Sequence, residues 1–203
     1  MINLTIFDSL GNIYKTSIYR VSLNMNKTTG YSIWLIPDGG VYKLTSKIIL
    51  DIARKDHAPK FKPHITLLGE FGKEKNEKDI IKSFRDLVHN QKTLTLNFES
   101  VNCENFYFRA LFLKVGKTKE LLNFHRKAKQ ALGMKNIKSY MPHLSLVYGN
   151  FSKNSKEKII SSTSKDLSSE IFIKEFPIDK ILLMKTQGTV SQWRKIVTFP
   201  LRG

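Results

Sequence analysis

The sequence has few acidic residues, almost no cysteine and no long apolar runs. The last two shortages exclude classes of protein. A single cysteine, Cys103, excludes an internal disulfide framework and any zinc site built from cysteines. No apolar run approaches the roughly 18 residues that a membrane-spanning helix needs. Residues 1–8 lack the basic start and the long apolar stretch of a signal peptide. We therefore expect a cytoplasmic protein with no membrane partner.

Acidic residues are half as numerous as basic ones, 17 against 34, which gives the 203-residue chain a net charge of +17. A field of this size concentrates polyanions near the surface and speeds their encounter. The alternative is a merely solvated cationic surface, because much of the excess is lysine on expected helix faces such as residues 73–78. We favour a nucleotide or a short RNA as the partner, and we expect a monomer.

The apolar content of 41% is enough for one domain or for two small lobes that share a core. Each half of the chain gives the order strand, helix, motif strand, helix, strands, and this order predicts an α+β fold with two lobes, each an antiparallel sheet covered outside by helices. We assign residues 30–203 to this domain and residues 1–29, which alternate weakly between apolar and polar, to an N-terminal extension of two short strands. Helices are predicted at 41–54, 78–89, 117–132 and 152–162, and strands at 31–36, 61–68, 94–100, 106–115, 140–148, 170–176, 179–186 and 193–201.

Two short stretches carry the chemistry: Pro-His-Ile-Thr-Leu at 63–67 and Pro-His-Leu-Ser-Leu at 142–146. Residues i and i+2 of a strand share a face, so neighbouring strands would bring His64, Thr66, His143 and Ser145 into one groove. One imidazole can then act as a base and the other as an acid, while the hydroxyls donate to phosphate oxygens. The alternative is two unrelated histidines at strand starts. The repeated proline before each histidine and the apolar residue after it disfavour that alternative.

The two stretches resemble the paired His-x-[Ser/Thr]-apolar motifs of the 2H phosphoesterases, and most closely those of the eukaryotic-type cyclic phosphodiesterases. The likeness extends to residues 31–37, to 141–149, and to Thr186-Gln187-Gly188 followed by Trp193. It implies a bilobal fold whose two antiparallel sheets face a central groove, with helices outside. The implied reaction opens a 2′,3′-cyclic phosphate or an ADP-ribose 1″,2″-cyclic phosphate to a phosphomonoester, with His143 as base and His64 as acid. No metal and no cofactor are expected.

Aromatic side chains are candidates for substrate binding, because a base can stack on them whatever its identity. Trp34 lies on a strand expected beside the motif strands, and Tyr148 follows Ser145 by three residues. Phe106 and Tyr107 occupy the place of a substrate-covering loop in the resembling family. Ordinary core packing is the alternative for these rings.

Three other functions compete with this interpretation. A zinc site could use the two motif histidines, but its third ligand would have to be Glu70 or His57, and neither is well placed in the sequence. A non-catalytic RNA-binding module could share the fold, although two complete motifs argue against it. A third possibility keeps the chemistry and changes the substrate to 2′–5′ oligoadenylate or a cyclic oligonucleotide, and the sequence leaves it open. His89 and His125 are expected on helices, with no catalytic role.

Overall fold

The computed structural model describes residues 2–7, 13–18, 26–89, 91–135, 139–163, 167, 170–173 and 175–201. Strands β1 (Ile2–Phe7) and β2 (Ile13–Ile18) pair antiparallel as a separate two-stranded sheet, as predicted for the N-terminal residues. The remaining strands are β3 (Tyr31–Ile36), β4 (Ile65–Phe71), β5 (Leu94–Leu96), β6 (Phe98–Asn102), β7 (Leu111–Val115), β8 (His143–Val147), β9 (Phe176–Ile178), β10 (Lys180–Lys185) and β11 (Arg194–Pro200). The helices are α1 (Gly39–Lys55), α2 (Glu77–Val88), α3 (Lys119–Ala131), α4 (Lys153–Thr163) and the single turn α5 (Glu170–Ile173).

A seven-stranded antiparallel sheet organises the molecule, with strand order β11-β10-β3-β4-β8-β7-β6. The two motif strands, β4 and β8, are neighbours at its centre. They pair through one residue pair, Ile65 with Leu144. The α+β class is thereby confirmed. The two predicted sheets are the two halves of this sheet, joined at that single pair.

Alternation along the strands separates the core from the opposite face of the sheet. Ile65, Leu67, Leu144 and Leu146 are buried in the main apolar cluster, which also contains the inward sides of α1, α2 and α3. The apolar residues of these helices recur every three to four positions, so each helix buries one stripe. The helices therefore cover one face of the sheet and leave the motif side chains on the other.

Three predicted elements differ from the structure. The single strand predicted at 94–100 is divided into β5 and β6, which belong to different sheets. Residues 170–173 form the helical turn α5 and not the start of a strand, and β9 begins only at Phe176. A short apolar run does not distinguish a strand from a helical turn by its periodicity, which explains the error. The strand predicted at 106–115 begins at Leu111, because Tyr107–Arg109 forms a 3₁₀ turn. Among the described residues, no helix is long and apolar enough to cross a membrane.

Candidate active site

The face of the sheet opposite the helices carries a cleft of about 440 Å³ above the two motif strands. His64, Thr66, His143 and Ser145 all line it. The imidazole of each strand thus lies near the hydroxyl two residues further along, as strand alternation predicts. The structure brings together the four residues that the sequence proposed for acid–base chemistry.

A backbone carbonyl two residues upstream fixes the tautomer of each imidazole. His64 Nδ1 donates to the carbonyl oxygen of Lys62 at 2.6 Å, and His143 Nδ1 donates to that of Met141 at 2.9 Å. A carbonyl can only accept, so the proton of a neutral ring must be on Nδ1. In both rings Nε2 is therefore the atom that can gain or lose a proton.

His64 is enclosed by aromatic rings and is only 5% exposed. The indole of Trp34 stacks on its imidazole, with ring centroids 3.6 Å apart and planes inclined by 10°. The Tyr148 hydroxyl lies 3.4 Å from Nε2. Burial lowers the pKa of His64 to about 3; the bond to the Lys62 carbonyl opposes this decrease, and the charge of His143 adds to it. Burial therefore holds His64 neutral at physiological pH.

His143 is half-buried, with the Phe112 ring edge-on at 5.3 Å. Burial lowers its pKa, the bond to the Met141 carbonyl opposes the decrease, and the positive charge of Arg109 adds to it. The Glu104 carboxylate acts in the opposite direction and raises the pKa of His143. The two imidazoles thus share one tautomer but differ in exposure and in charged neighbours.

The two hydroxyls differ in how they are held. Ser145 Oγ donates its proton to the carbonyl oxygen of Phe108 at 2.8 Å, so it must rotate before it can donate to a ligand. The backbone carbonyl of Thr66 accepts from the Tyr140 hydroxyl at 3.1 Å, which ties β4 to the segment that precedes β8. No hydrogen bond occupies the Thr66 hydroxyl within the part of the chain that the structure describes.

The predicted aromatic residues do not present equal surfaces to the cleft. Trp34 and Tyr148 line it, but each is only 3% exposed, and the Tyr148 ring stacks on Phe61 at 3.8 Å as Trp34 stacks on His64. Phe106 lines the cleft and is 44% exposed. Tyr107 is not among the lining residues; it packs near Phe108 and Tyr148. Phe106 is thus the most accessible of the four rings.

Arg109 and Trp193 line the cleft although sequence reasoning did not place them there. The Arg109 guanidinium is held by Glu104 through its Nε at 2.9 Å and through a second nitrogen at 2.7 Å, and it lies 5.0 Å from the centroid of the Phe106 ring. An arginine inside the apolar run 106–113 was an available signal for a functional position. Trp193 Nε1 donates to the hydroxyl of Thr28 at 3.0 Å.

The motif histidines have no third metal-binding side chain grouped with them in the part of the chain that the structure describes. Across the described ranges, no three His, Cys, Asp or Glu side chains are grouped so as to hold a metal ion. Glu70 lines the cleft and accepts a hydrogen bond from the backbone N–H of Thr29. His57 is exposed and, like His89 and His125, does not line the cleft. His125 instead stacks on Tyr140 at 4.0 Å.

Comparison with known proteins shows which family the chain matches. The family described as cyclic phosphodiesterase-like protein matches residues 29–199. A cyclic phosphodiesterase of Arabidopsis thaliana is 25% identical over 169 residues, which cover 82% of this chain and 92% of the plant protein. A 2′,3′-cyclic-nucleotide 3′-phosphodiesterase of Phaeosphaeria nodorum is also 25% identical, over 187 residues that cover 82% of this chain and 96% of the fungal protein.

Solved structures agree on the fold. Escherichia coli LigT in its apo form superposes with a TM-score of 0.54 at 13% identity, over 87% of this chain and 99% of LigT. TT0787 of Thermus thermophilus superposes with a TM-score of 0.56 at 14% identity, over 86% of this chain and 99% of that protein. The family match covers nearly the whole chain beyond β2, including both histidine motifs. The chain therefore belongs to the cyclic phosphodiesterase-like family of the 2H phosphoesterases, whose members are phosphoric diester hydrolases.

Proposed function

We propose that this protein opens a 2′,3′-cyclic phosphate, or the related ADP-ribose 1″,2″-cyclic phosphate, to a phosphomonoester by acid–base catalysis with two histidines. One observation carries the proposal: two imidazoles, each with Nδ1 bonded to a backbone carbonyl, line one cleft together with two hydroxyls. The fungal relative is named as a 2′,3′-cyclic-nucleotide phosphodiesterase, which supports this substrate class. A structure of LigT in complex with 3′-AMP, at a TM-score of 0.52, shows that a nucleotide binds to a protein of this fold.

The reaction needs one proton to leave a water molecule and one to reach the departing ribose oxygen. His143 Nε2 takes the proton of the water, whose oxygen then forms a bond to phosphorus. The bond from phosphorus to one ribose oxygen breaks, and His64 Nε2–H protonates that oxygen. Each imidazole ends in the protonation state in which the other began, and proton exchange with solvent restores the pair.

His64 must be protonated for this role, although its burial favours the neutral form. The substrate supplies the missing stabilisation. A phosphate charge beside the imidazolium favours the protonated form, and in a buried site this attraction is weakly screened. Substrate therefore raises the pKa of His64 from about 3 toward neutrality. The Trp34 ring beneath the imidazole favours the cation further.

Charge that builds on the phosphate oxygens needs donors in the cleft. The Thr66 hydroxyl is available without rearrangement, and Ser145 can donate after it turns from the Phe108 carbonyl. The Arg109 guanidinium adds a positive charge whose position is fixed by Glu104. These three groups would stabilise the transition state more than the ground state, because the charge on the oxygens is largest there.

The test is hydrolysis of 2′,3′-cyclic AMP by the purified protein with and without EDTA. His64→Asn and His143→Asn retain a donor for the upstream carbonyl but cannot exchange a proton, so kcat should fall by about 100- to 10,000-fold with KM little changed. His57→Asn is the matched control, because asparagine tolerates the positive φ of 52° at that exposed position. Unaltered turnover in either motif variant would contradict the proposal. Loss of activity with EDTA or in His57→Asn would support the zinc alternative.

Products from a panel of substrates separate the remaining alternatives. The panel contains 2′,3′-cyclic mononucleotides, ADP-ribose cyclic phosphate, 2′–5′ oligoadenylate and cyclic dinucleotides. Hydrolysis only of the last two would retain the chemistry and change the substrate. Affinity for RNA without turnover of any member would identify a binding module.

A further inference from the structure

A second cavity of about 360 Å³ lies beside the first turn of α1 and is surrounded by lysines. Lys43, Lys62, Lys180 and Lys195 line it, and we name it the lysine pocket. Asp38 is the one carboxylate among its lining residues in the described part of the chain, and it pairs with Lys180 at 3.2 Å. Lys180 also lies 3.7 Å from the Asp179 carboxylate, so its charge is largely compensated.

The other three lysines give the pocket its positive charge. Lys43, Lys62 and Lys195 are exposed, and none of them has an ion-pair partner within the described ranges. Like charges that converge on one cavity without counter-charges repel one another, and a bound anion relieves this repulsion. Lysine attracts phosphate as a point charge and does not read a base. The pocket is therefore suited to a phosphate group.

The lysine pocket and the active-site cleft share one floor. Trp34, Ile36, Leu182 and Met184 form a single buried cluster on the site face of the sheet, with Tyr42 and Trp193 packed against it. Trp34 and Trp193 line the cleft, while Ile36, Leu182 and Tyr42 line the lysine pocket.

Two residues of β3, one from each cavity, show that the cavities are adjacent. Trp34 and Ile36 are two residues apart on β3 and point to the same face, so their Cα atoms are separated by about 7 Å. A helical nucleic-acid strand advances about 3.4 Å per nucleotide along its axis, so a chain of a few nucleotides spans this distance. Lys62 adds a second connection, since its backbone carbonyl orients His64 while its side chain lines the lysine pocket.

We propose that the lysine pocket binds a backbone phosphate of an oligonucleotide whose terminal 2′,3′-cyclic phosphate occupies the cleft. The inference rests on the proposed function and extends it: the favoured substrate is an RNA end and not a free mononucleotide. A cyclic mononucleotide has no second phosphate and leaves the lysine pocket empty. Three of the 34 basic residues of the chain then have a local role, because Lys43, Lys62 and Lys195 lie beside the reacting centre.

The experiment compares 2′,3′-cyclic AMP with an adenylate trimer that ends in a 2′,3′-cyclic phosphate. The double variant Lys43→Gln/Lys195→Gln removes two charges of the pocket and leaves every cleft-lining side chain intact. Lys119→Gln/Lys127→Gln is the matched control, because it removes two exposed lysines from α3, outside both cavities. Steady-state kcat/KM is measured for both substrates at salt concentrations from about 50 to 200 mM.

For the wild type we expect kcat/KM to be about tenfold higher for the trimer than for the mononucleotide, the size of effect that one or two surface charge contacts supply. The pocket variant should lose this preference, with hydrolysis of the mononucleotide unchanged, and the control should keep it. For the trimer, the slope of log kcat/KM against log salt should also become shallower by about 0.7 per lost phosphate contact. Equal kcat/KM for the two substrates in the wild type, or equal losses in the pocket variant and the control, would overturn the inference.

Failure of the proposed function has a different signature. If the wild type hydrolyses neither substrate, the 2′,3′-cyclic phosphate is excluded as the substrate of the proposed function, and binding decides the role of the pocket. Fluorescence anisotropy then measures the affinity of a labelled adenylate trimer that ends in a 3′-phosphate. Weaker binding by the pocket variant than by the control would support the phosphate site, and equal affinities would overturn it.

Discussion

The buried, neutral His64 predicts that the folded protein loses stability when the pH falls from about 7.5 to about 5. The pKa of His64 is about 3 in the folded protein and about 6.5 in an unfolded chain. Between these values the unfolded chain binds a proton that the folded protein does not bind. Stability from this residue is therefore complete above about pH 6.5 and decreases toward pH 3.

The size of the loss follows from the pKa difference. At pH 5 the unfolded imidazole is about 1.5 pH units below its pKa, which corresponds to about 2 kcal/mol of lost unfolding free energy. His64→Asn isolates this contribution, because its amide can still donate to the Lys62 carbonyl but does not titrate. Urea unfolding of both proteins at the two pH values gives the measurement. We expect the wild type to lose about 2 kcal/mol more than the variant.

Equal pH dependence in the two proteins would refute the reasoning. It would mean that His64 is hydrated or paired in the folded protein, so that its pKa is close to that of the unfolded chain. The two half-buried histidines do not affect the comparison, because His125 and His143 are present in both proteins.

Three further predictions concern the surroundings of the site. Trp34→Leu should lower kcat about tenfold or more with KM nearly constant, because the indole holds the His64 imidazole in place. Trp34→Phe retains a ring and should retain most of the activity. A rise in KM alone in Trp34→Leu would instead indicate that the indole stacks on the base of the substrate. Lys156→Met should lower the free energy of unfolding, measured by thermal unfolding, by about 1–3 kcal/mol, because Nζ donates to the Glu104 carbonyl oxygen at 2.7 Å and to Asn105 Oδ1 at 2.6 Å. Lys158 is exposed, so Lys158→Met should lower it little. Equal losses in the two variants would contradict this prediction. Binding of a nucleoside 2′-monophosphate should be accompanied by proton uptake at His64, so its affinity should increase as the pH falls from about 8 to 6. Equal calorimetric heats of binding in buffers of different ionisation enthalpy would show that no proton is taken up and would contradict the prediction.

Local alternation was sufficient to predict the arrangement of the motif residues. β3 was predicted with the bounds that the structure shows, and the histidines and hydroxyls share a face because i and i+2 do so in any strand. The joining of the two lobes into one sheet was not predictable in this way. It depends on contact between Ile65 and Leu144, which are 79 positions apart in the chain.

The partner of Trp34 shows where sequence reasoning stops. Its strand and its place in the cleft were predicted, but its ring lies on His64 and not on an open surface. This follows from the cross-strand register that sets Trp34 opposite Thr66, and periodicity within one strand contains no information about register. Arg109 was missed for a similar reason, because its position depends on a 3₁₀ turn and on Glu104.

The strands β4 and β8 are joined by a single residue pair, and this affects how the distance between the two histidines is determined. Ile65 and Leu144 are completely buried beneath the two imidazoles. The width of the gap between the histidines is therefore governed by the volume of packed side chains and not by a continuous hydrogen-bonded ladder. Substitutions in that hidden layer would therefore move the reacting groups apart or together while both motifs stay the same.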